Sequence, residues 1–169
     1  MKLDLPGVEQ GSDIETLFKA IGFVVIQWGH AEQTLDLMVA AIYGKTDREK
    51  LPTKRPMFLS HKTKFLKKWL ANIPELQQLQ AEGEMLFSRF DDIGKTRNDF
   101  IHGAISSLSP PDGAFIFAKL DISKEDGHSL RAVSLSQQDW KELRTELLRL
   151  GKDGQCLAQK VWDSLKGQT

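Results

Sequence analysis

The chain has 169 residues, of which 40% are hydrophobic and 27% charged, enough to bury one sizeable core and form a single domain across residues 1–169. Twenty-three basic residues balance twenty-three acidic ones, so the field of the whole chain favours neither nucleic acid nor a membrane, and any affinity for RNA must be local. The longest apolar run, Ile21 to Ile26 with Gly22 inside it, falls far short of the roughly 20 residues that cross a bilayer, so no membrane partner is expected.

The N-terminus carries Asp4 and Pro6 where a secretory signal needs an apolar run, and the single cysteine, Cys156, has no intramolecular partner. Both point to a reduced, cytoplasmic setting. Ser12 and Glu15 form a capping-box pattern that starts a long first helix. Its apolar residues Ile14, Leu17, Phe18, Ile21, Val24, Val25, Trp28, Ala31, Leu35, Met38, Val39 and Ile42 recur at three- and four-residue intervals, and Gly44 is a suitable stop. Residues 50–56 hold two prolines and read as a connector. Ser60 can cap a short second helix carrying Phe65, Leu66, Trp69 and Leu70, which Pro74 ends. A third helix then runs from about Glu75 past Ile101 with Leu76, Leu79, Leu86, Phe87, Phe90 and Ile93 on one side.

Beyond Gly103, Pro110-Pro111-Asp112-Gly113 is a strong turn signal. Ala114 to Asp121 and Leu130 to Leu135 alternate as a two-stranded β-hairpin. Ser136-Gln137-Gln138-Asp139 starts a last helix that Gly151 and Gly154 divide in two. The expected fold is mostly α: an up-and-down bundle of four to five helices with the hairpin, residues 114–135, inserted before the last helix.

Two charged residues occupy positions where the helical pattern asks for apolar ones. Glu32 falls in the stripe of the first helix one turn after Trp28, and Arg97 lies within about 20° of the face centred on Phe90. Buried charges need partners, so a Glu32–Arg97 ion pair is the economical structural expectation. A site between helices would use the same two residues to fix the guanidinium. His102 lies about 140° from Arg97 around the helix, with Asn98 one turn before it and able to fix its tautomer. For Arg97 and His102 to share one cleft, the arginine bends round, the helix distorts near Gly103, or a second copy of the chain completes the site. His102 can also serve simply as a helix-end residue near the last carbonyls.

Arg97-Asn98-Asp99-Phe100-Ile101-His102-Gly103, together with Trp28 and Glu32 in the first helix, resembles the HEPN superfamily over about Ser12 to Gly103. The signature of that superfamily is an arginine and a histidine separated by four to six residues. The resemblance implies an all-α, usually homodimeric domain, and a metal-independent endoribonuclease that needs no cofactor and serves as a toxin or antiviral effector, restrained by an antitoxin or other protein partner. It makes Arg97 and His102 the catalytic pair, Asn98 the polar residue beside the arginine, and Glu32 a supporting acid. It equally covers catalytically silent members that bind a partner or nucleotide; a purely structural oligomerising bundle is the remaining reading.

The chemistry suits those residue types. RNA carries its own nucleophile, the 2′-hydroxyl, so the protein needs a proton carrier, which histidine supplies, and a fixed cation at the phosphate, which arginine supplies. The products would be a 2′,3′-cyclic phosphate and a 5′-hydroxyl, and DNA would be inert. Residues 50–74 hold seven lysines and arginines and no acid, so Lys54, Arg55, Lys62, Lys64 and Lys68 form a local RNA-binding patch or a merely solvated helix face. Phe58, Phe65 and Trp69 are interleaved at core spacing. Gly94-Lys95-Thr96 lacks the glycine a phosphate-binding loop requires, since Arg89 stands there. The remaining His, Asp and Glu show no zinc-ligand spacing, and Cys156 reads as a packing residue.

Overall fold

A computed structural model describes residues 12–46, 48–109, 114–123 and 127–166. These residues are mostly helical: α1 (Ser12–Lys45), α2 (Leu59–Asn72), α3 (Gln80–His102) and α4 (Gln137–Lys166), with short 3-10 turns at Arg48–Lys50 and Pro74–Leu79. An antiparallel hairpin precedes the last helix, as the alternation indicates, formed by β2 (Ala114–Ser123) and β3 (Gly127–Leu135). A further strand, β1 (Ala104–Ser109), pairs with β2, so the sheet has the order β1-β2-β3 with a register shift between Ile105 and Ser107. Its Ser-rich sequence, without a β-branched or aromatic run, concealed it.

The chain divides into two compact units, one formed by Ile26–Asp92 and Leu147–Thr169, the other by Met1–Val25 and Ile93–Glu146. In the first, four helical segments enclose a core that includes Leu35, Met38, Ile42, Leu66, Leu70, Phe87, Phe90, Leu147 and Leu157. Each such side chain contributes roughly 1.5–3 kcal/mol on burial. Trp28 meets Phe90 edge to face with ring centres 5.9 Å apart, joining α1 to α3. Helix α4 runs unbroken through Gly151 and Gly154, against the expected division. Gly154 is buried against Thr34, where an added Cβ would collide with the Thr34 Oγ1, so this glycine serves the approach of α4 to α1 rather than a break.

In the second unit, Phe100 of α3 packs edge to face on Phe117 of β2 at 5.2 Å, and Phe23 of α1 on Trp140 of α4 at 5.8 Å. The start of α4 carries the expected cap. Ser136 Oγ accepts from the Asp139 N–H at 3.1 Å, while the Asp139 carboxylate accepts from the Ser136 N–H at 2.9 Å and its hydroxyl at 2.6 Å. These bonds, the one to the hydroxyl first, hold the Asp139 carboxyl below the usual carboxylate range.

Several finer expectations need correction. The side chain of Ser12, hence the first capping box, lies outside the described residues. Helix α2 begins at Leu59, and Phe58 at its cap position makes no side-chain cap bond, so Ser60 is not the cap. Phe18 and Val25 are 66% and 46% exposed rather than core residues. Each directly follows a buried position, Leu17 or Val24, and so lies about 100° round the helix from it. Cys156 is exposed rather than packed. No described helix is long and apolar enough to cross a membrane.

Candidate functional site

Helix α3 ends with the polar sequence from Arg97 to His102, and the backbone stays helical throughout, closing with the Gly103 N–H on the Asp99 carbonyl at 3.1 Å. The helix is therefore not distorted near Gly103, which removes one of the expected routes to a shared Arg97–His102 cleft. An added Cβ on Gly103 would stand 3.0 Å from the Phe117 Cβ and collide with the Asp99 carbonyl, so a glycine lets the chain leave the helix and enter β1 beside the packed phenylalanines.

Arg97 is half-buried and donates through its terminal Nη1 to the Asn98 Oδ1 at 2.8 Å. Asn98 thus steadies the guanidinium rather than the imidazole, which corrects the expected Asn98–His102 contact. The neighbouring residue on the chain is simply nearer to the arginine fork than is a side chain one turn on. His102 is exposed, and its side chain makes no hydrogen bond among the described residues. Its ring is open to solvent.

Asp99, the acid inside the motif, carries a role that the motif does not reveal. Its Oδ1 accepts from Lys119 Nζ of β2 and from Arg131 Nη2 of β3, the latter at 3.1 Å. Lys119 and Arg131 are directly opposed in the β2–β3 register. Burial pushes the Asp99 carboxyl up, but the bonds from Lys119 and Arg131 and their charges outweigh it and hold the group below the usual carboxylate range. The single acid among Arg97 to His102 is thereby spent on the sheet. The signal available in the sequence was the alternation itself: Lys119 and Arg131 fall on the strand face of Phe117 and Val133, where apolar residues belong.

Glu32 serves another group. Its Oε2 accepts from the Trp28 indole at 3.0 Å and its Oε1 from Lys62 Nζ at 2.9 Å, and Lys62 also binds Asp36 at 2.8 Å. Both Glu32 oxygens are engaged within its own unit, so the acid is a partner of Lys62 and not the expected support for Arg97. Lys62 is 6% exposed. It cannot belong to an RNA-binding surface, which corrects that assignment: its place at the buried side of α2 leaves the ammonium facing α1. Burial pulls the Lys62 ammonium down, but the bonds and charges of Asp36 and Glu32 more than offset this and raise it.

The other patch cations, Lys54, Arg55, Lys64 and Lys68, are exposed. With His61 and the apolar residues Pro52, Pro56, Met57, Phe58, Phe65 and Trp69 they line an open groove of about 850 Å³ between the connector and α2. Phe65 and Trp69 are buried as their spacing indicates, whereas Met57 and Phe58 are 78% and 72% exposed. Among the described residues no group of three His, Cys, Asp or Glu side chains is arranged to hold a metal ion. No family model, no curated protein and no solved structure matches the chain.

Proposed function

We propose that this protein is a metal-independent endoribonuclease of the HEPN type, acting in the cytoplasm as a homodimeric toxin or antiviral effector. The observation that carries the reading is the solvent-open imidazole of His102, on an unbroken helix that also presents an Asn98-oriented guanidinium one turn and a half earlier. His102 accepts the 2′-hydroxyl proton as the 2′-oxygen attacks phosphorus. The P–O5′ bond then breaks, and an imidazolium returns a proton to the departing 5′-oxygen, leaving a 2′,3′-cyclic phosphate and a 5′-hydroxyl. Arg97 holds the phosphate oxygens through charge build-up at phosphorus.

A homodimer is supported by the helix geometry: the two groups stand five positions apart, about 140° on a regular helix, so a second copy can bring His102 to the Arg97 of the first. Glu32 has no part in this machinery because Lys62 and Trp28 occupy it.

Labelled RNA incubated with the protein in EDTA tests the reading. Cleavage should persist, should leave cyclic phosphate ends, and should vanish in His102→Ala while thermal unfolding stays unchanged. Intact RNA, or cleavage that His102→Ala retains, overturns it.

A further inference from the structure

The groove between the connector and α2 has a wall chemistry that the proposed His102 and Arg97 mechanism does not use. Its volume, about 850 Å³, lies in the range of ligand-binding clefts. The described large apolar side chains most exposed to solvent, Met57 and Phe58, both stand in it. Around them are four cations, Lys54 and Arg55 from the connector and Lys64 and Lys68 from α2, with His61 on the same helix. Among the described residues no carboxylate lines the groove. On the neighbouring helices Glu32 and Asp36 pair with Lys62, and Asp91 with Lys67. On a chain of zero formal charge, this is a concentrated positive rim over an apolar floor.

An occupant must therefore combine apolar anchors with negative charge. A single RNA strand would need flat aromatic faces for its bases. The rings here are already engaged: Arg55 lies over the Tyr43 ring at 5.1 Å, Phe65 stacks on Tyr43 at 5.3 Å, His61 meets Phe58 at 5.7 Å, and Lys68 lies over Trp69 at 5.7 Å. Phe65 and Trp69 are buried besides. Of the exposed apolar walls only Phe58 is aromatic, its ring meeting His61, and beside it Met57 supplies the flexible, polarizable kind of side chain that moulds itself to others.

We propose that this groove docks an acidic amphipathic segment of a partner protein, its apolar residues seated on Met57 and Phe58 and its carboxylates paired with Lys54, Arg55, Lys64 and Lys68. Amphipathic segments lying in apolar grooves are a recurrent mode of recognition, and complementary charge adds specificity and speed of encounter. The site is independent of the catalytic reading: it stands or falls whether or not RNA is cut.

The test uses the full chain and two probes. A random peptide-display library is selected against the protein, and the enriched peptides are synthesised; a labelled mixed-sequence single-stranded RNA of about 12 nucleotides is the second probe. The selection should enrich peptides in which Asp or Glu flank Leu, Ile, Phe or Met. Their affinity should fall roughly tenfold or more in Met57→Ser/Phe58→Ser and in Lys64→Glu/Lys68→Glu, weaken with salt, and stay unchanged in His102→Ala. The substituted positions are exposed, so the variants keep their fold. Failure to enrich any peptide, enrichment of neutral or basic peptides, acidic peptides indifferent to the four substitutions, or RNA binding that depends on those same residues would each overturn the proposal.

Discussion

Lys119 and Arg131 stand directly opposite one another on β2 and β3, and both donate to the one carboxylate of Asp99. Like charges directly opposed on neighbouring strands destabilise a hairpin. Asp99 reverses that sign and, in doing so, ties the last turns of α3 to the sheet. Next to it Phe100 packs on Phe117, so an ionic and an aromatic contact join the same two elements side by side.

Removing the carboxylate should expose the repulsion. Asp99→Asn is expected to lose about 1–3 kcal/mol of stability, because two charge-assisted bonds go and two cations remain face to face. Urea unfolding measures it. The loss in Asp99→Asn/Lys119→Ala should be smaller than the sum of the single losses, since those residues share one contact.

The same carboxylate sets an acid limit. Asp99 titrates lower in the folded chain than in the unfolded one, so its contribution is complete above the unfolded carboxylate range and is lost as the pH falls through the folded value. Wild type should therefore outlast Asp99→Asn at neutral pH, and the two unfolding curves should converge below about pH 4. A gap that stays constant down to pH 2 contradicts this.

Lys62 behaves in the opposite sense. Its proton is held more tightly in the folded state, so its contribution is present through neutral pH and fades only as the pH rises through the raised folded value. Lys62→Ala leaves Glu32 and Asp36 as like charges one turn apart on α1 and should cost about 1–3 kcal/mol at pH 7, read by thermal or urea unfolding.

The two glycines of α4 should respond with opposite signs. Alanine is normally the better helix residue by about 1 kcal/mol, and Gly151 has open space where a Cβ would go, so Gly151→Ala should stabilise. Gly154→Ala drives a methyl group into Thr34 and should cost about 1–3 kcal/mol, in part restored by Thr34→Ala. Thermal unfolding of the three variants decides it.

Catalysis should separate from stability. Arg97→Lys keeps a positive charge but loses the planar fork, so RNA cleavage should fall by about 10²–10³ in rate. A rate equal to wild type would remove the guanidinium from the proposed mechanism.

The order and kind of the elements follow from local pattern. Apolar residues at helical spacing mark α1, α3 and α4, the alternation that follows the Pro110–Gly113 turn signal marks β2 and β3, and Ser136 with Asp139 starts α4 as written in the chain. Such features need only the backbone period and neighbours within a turn. Arg97, Asn98 and His102 could be picked out in the same way, by residue type and spacing.

What partners each charge was decided by the folded chain. Glu32 meets Lys62, 30 residues away, and Asp99 meets Lys119 and Arg131, 20 and 32 residues away. Gly154, seen alone a helix breaker, proves to be a contact point for Thr34. An ion pair or a close helix approach depends on which remote segments burial brings together, and desolvation makes that meeting selective, because a buried charge accepts only a partner that reaches it. Periodicity is a property of one stretch of backbone; pairing is a property of two.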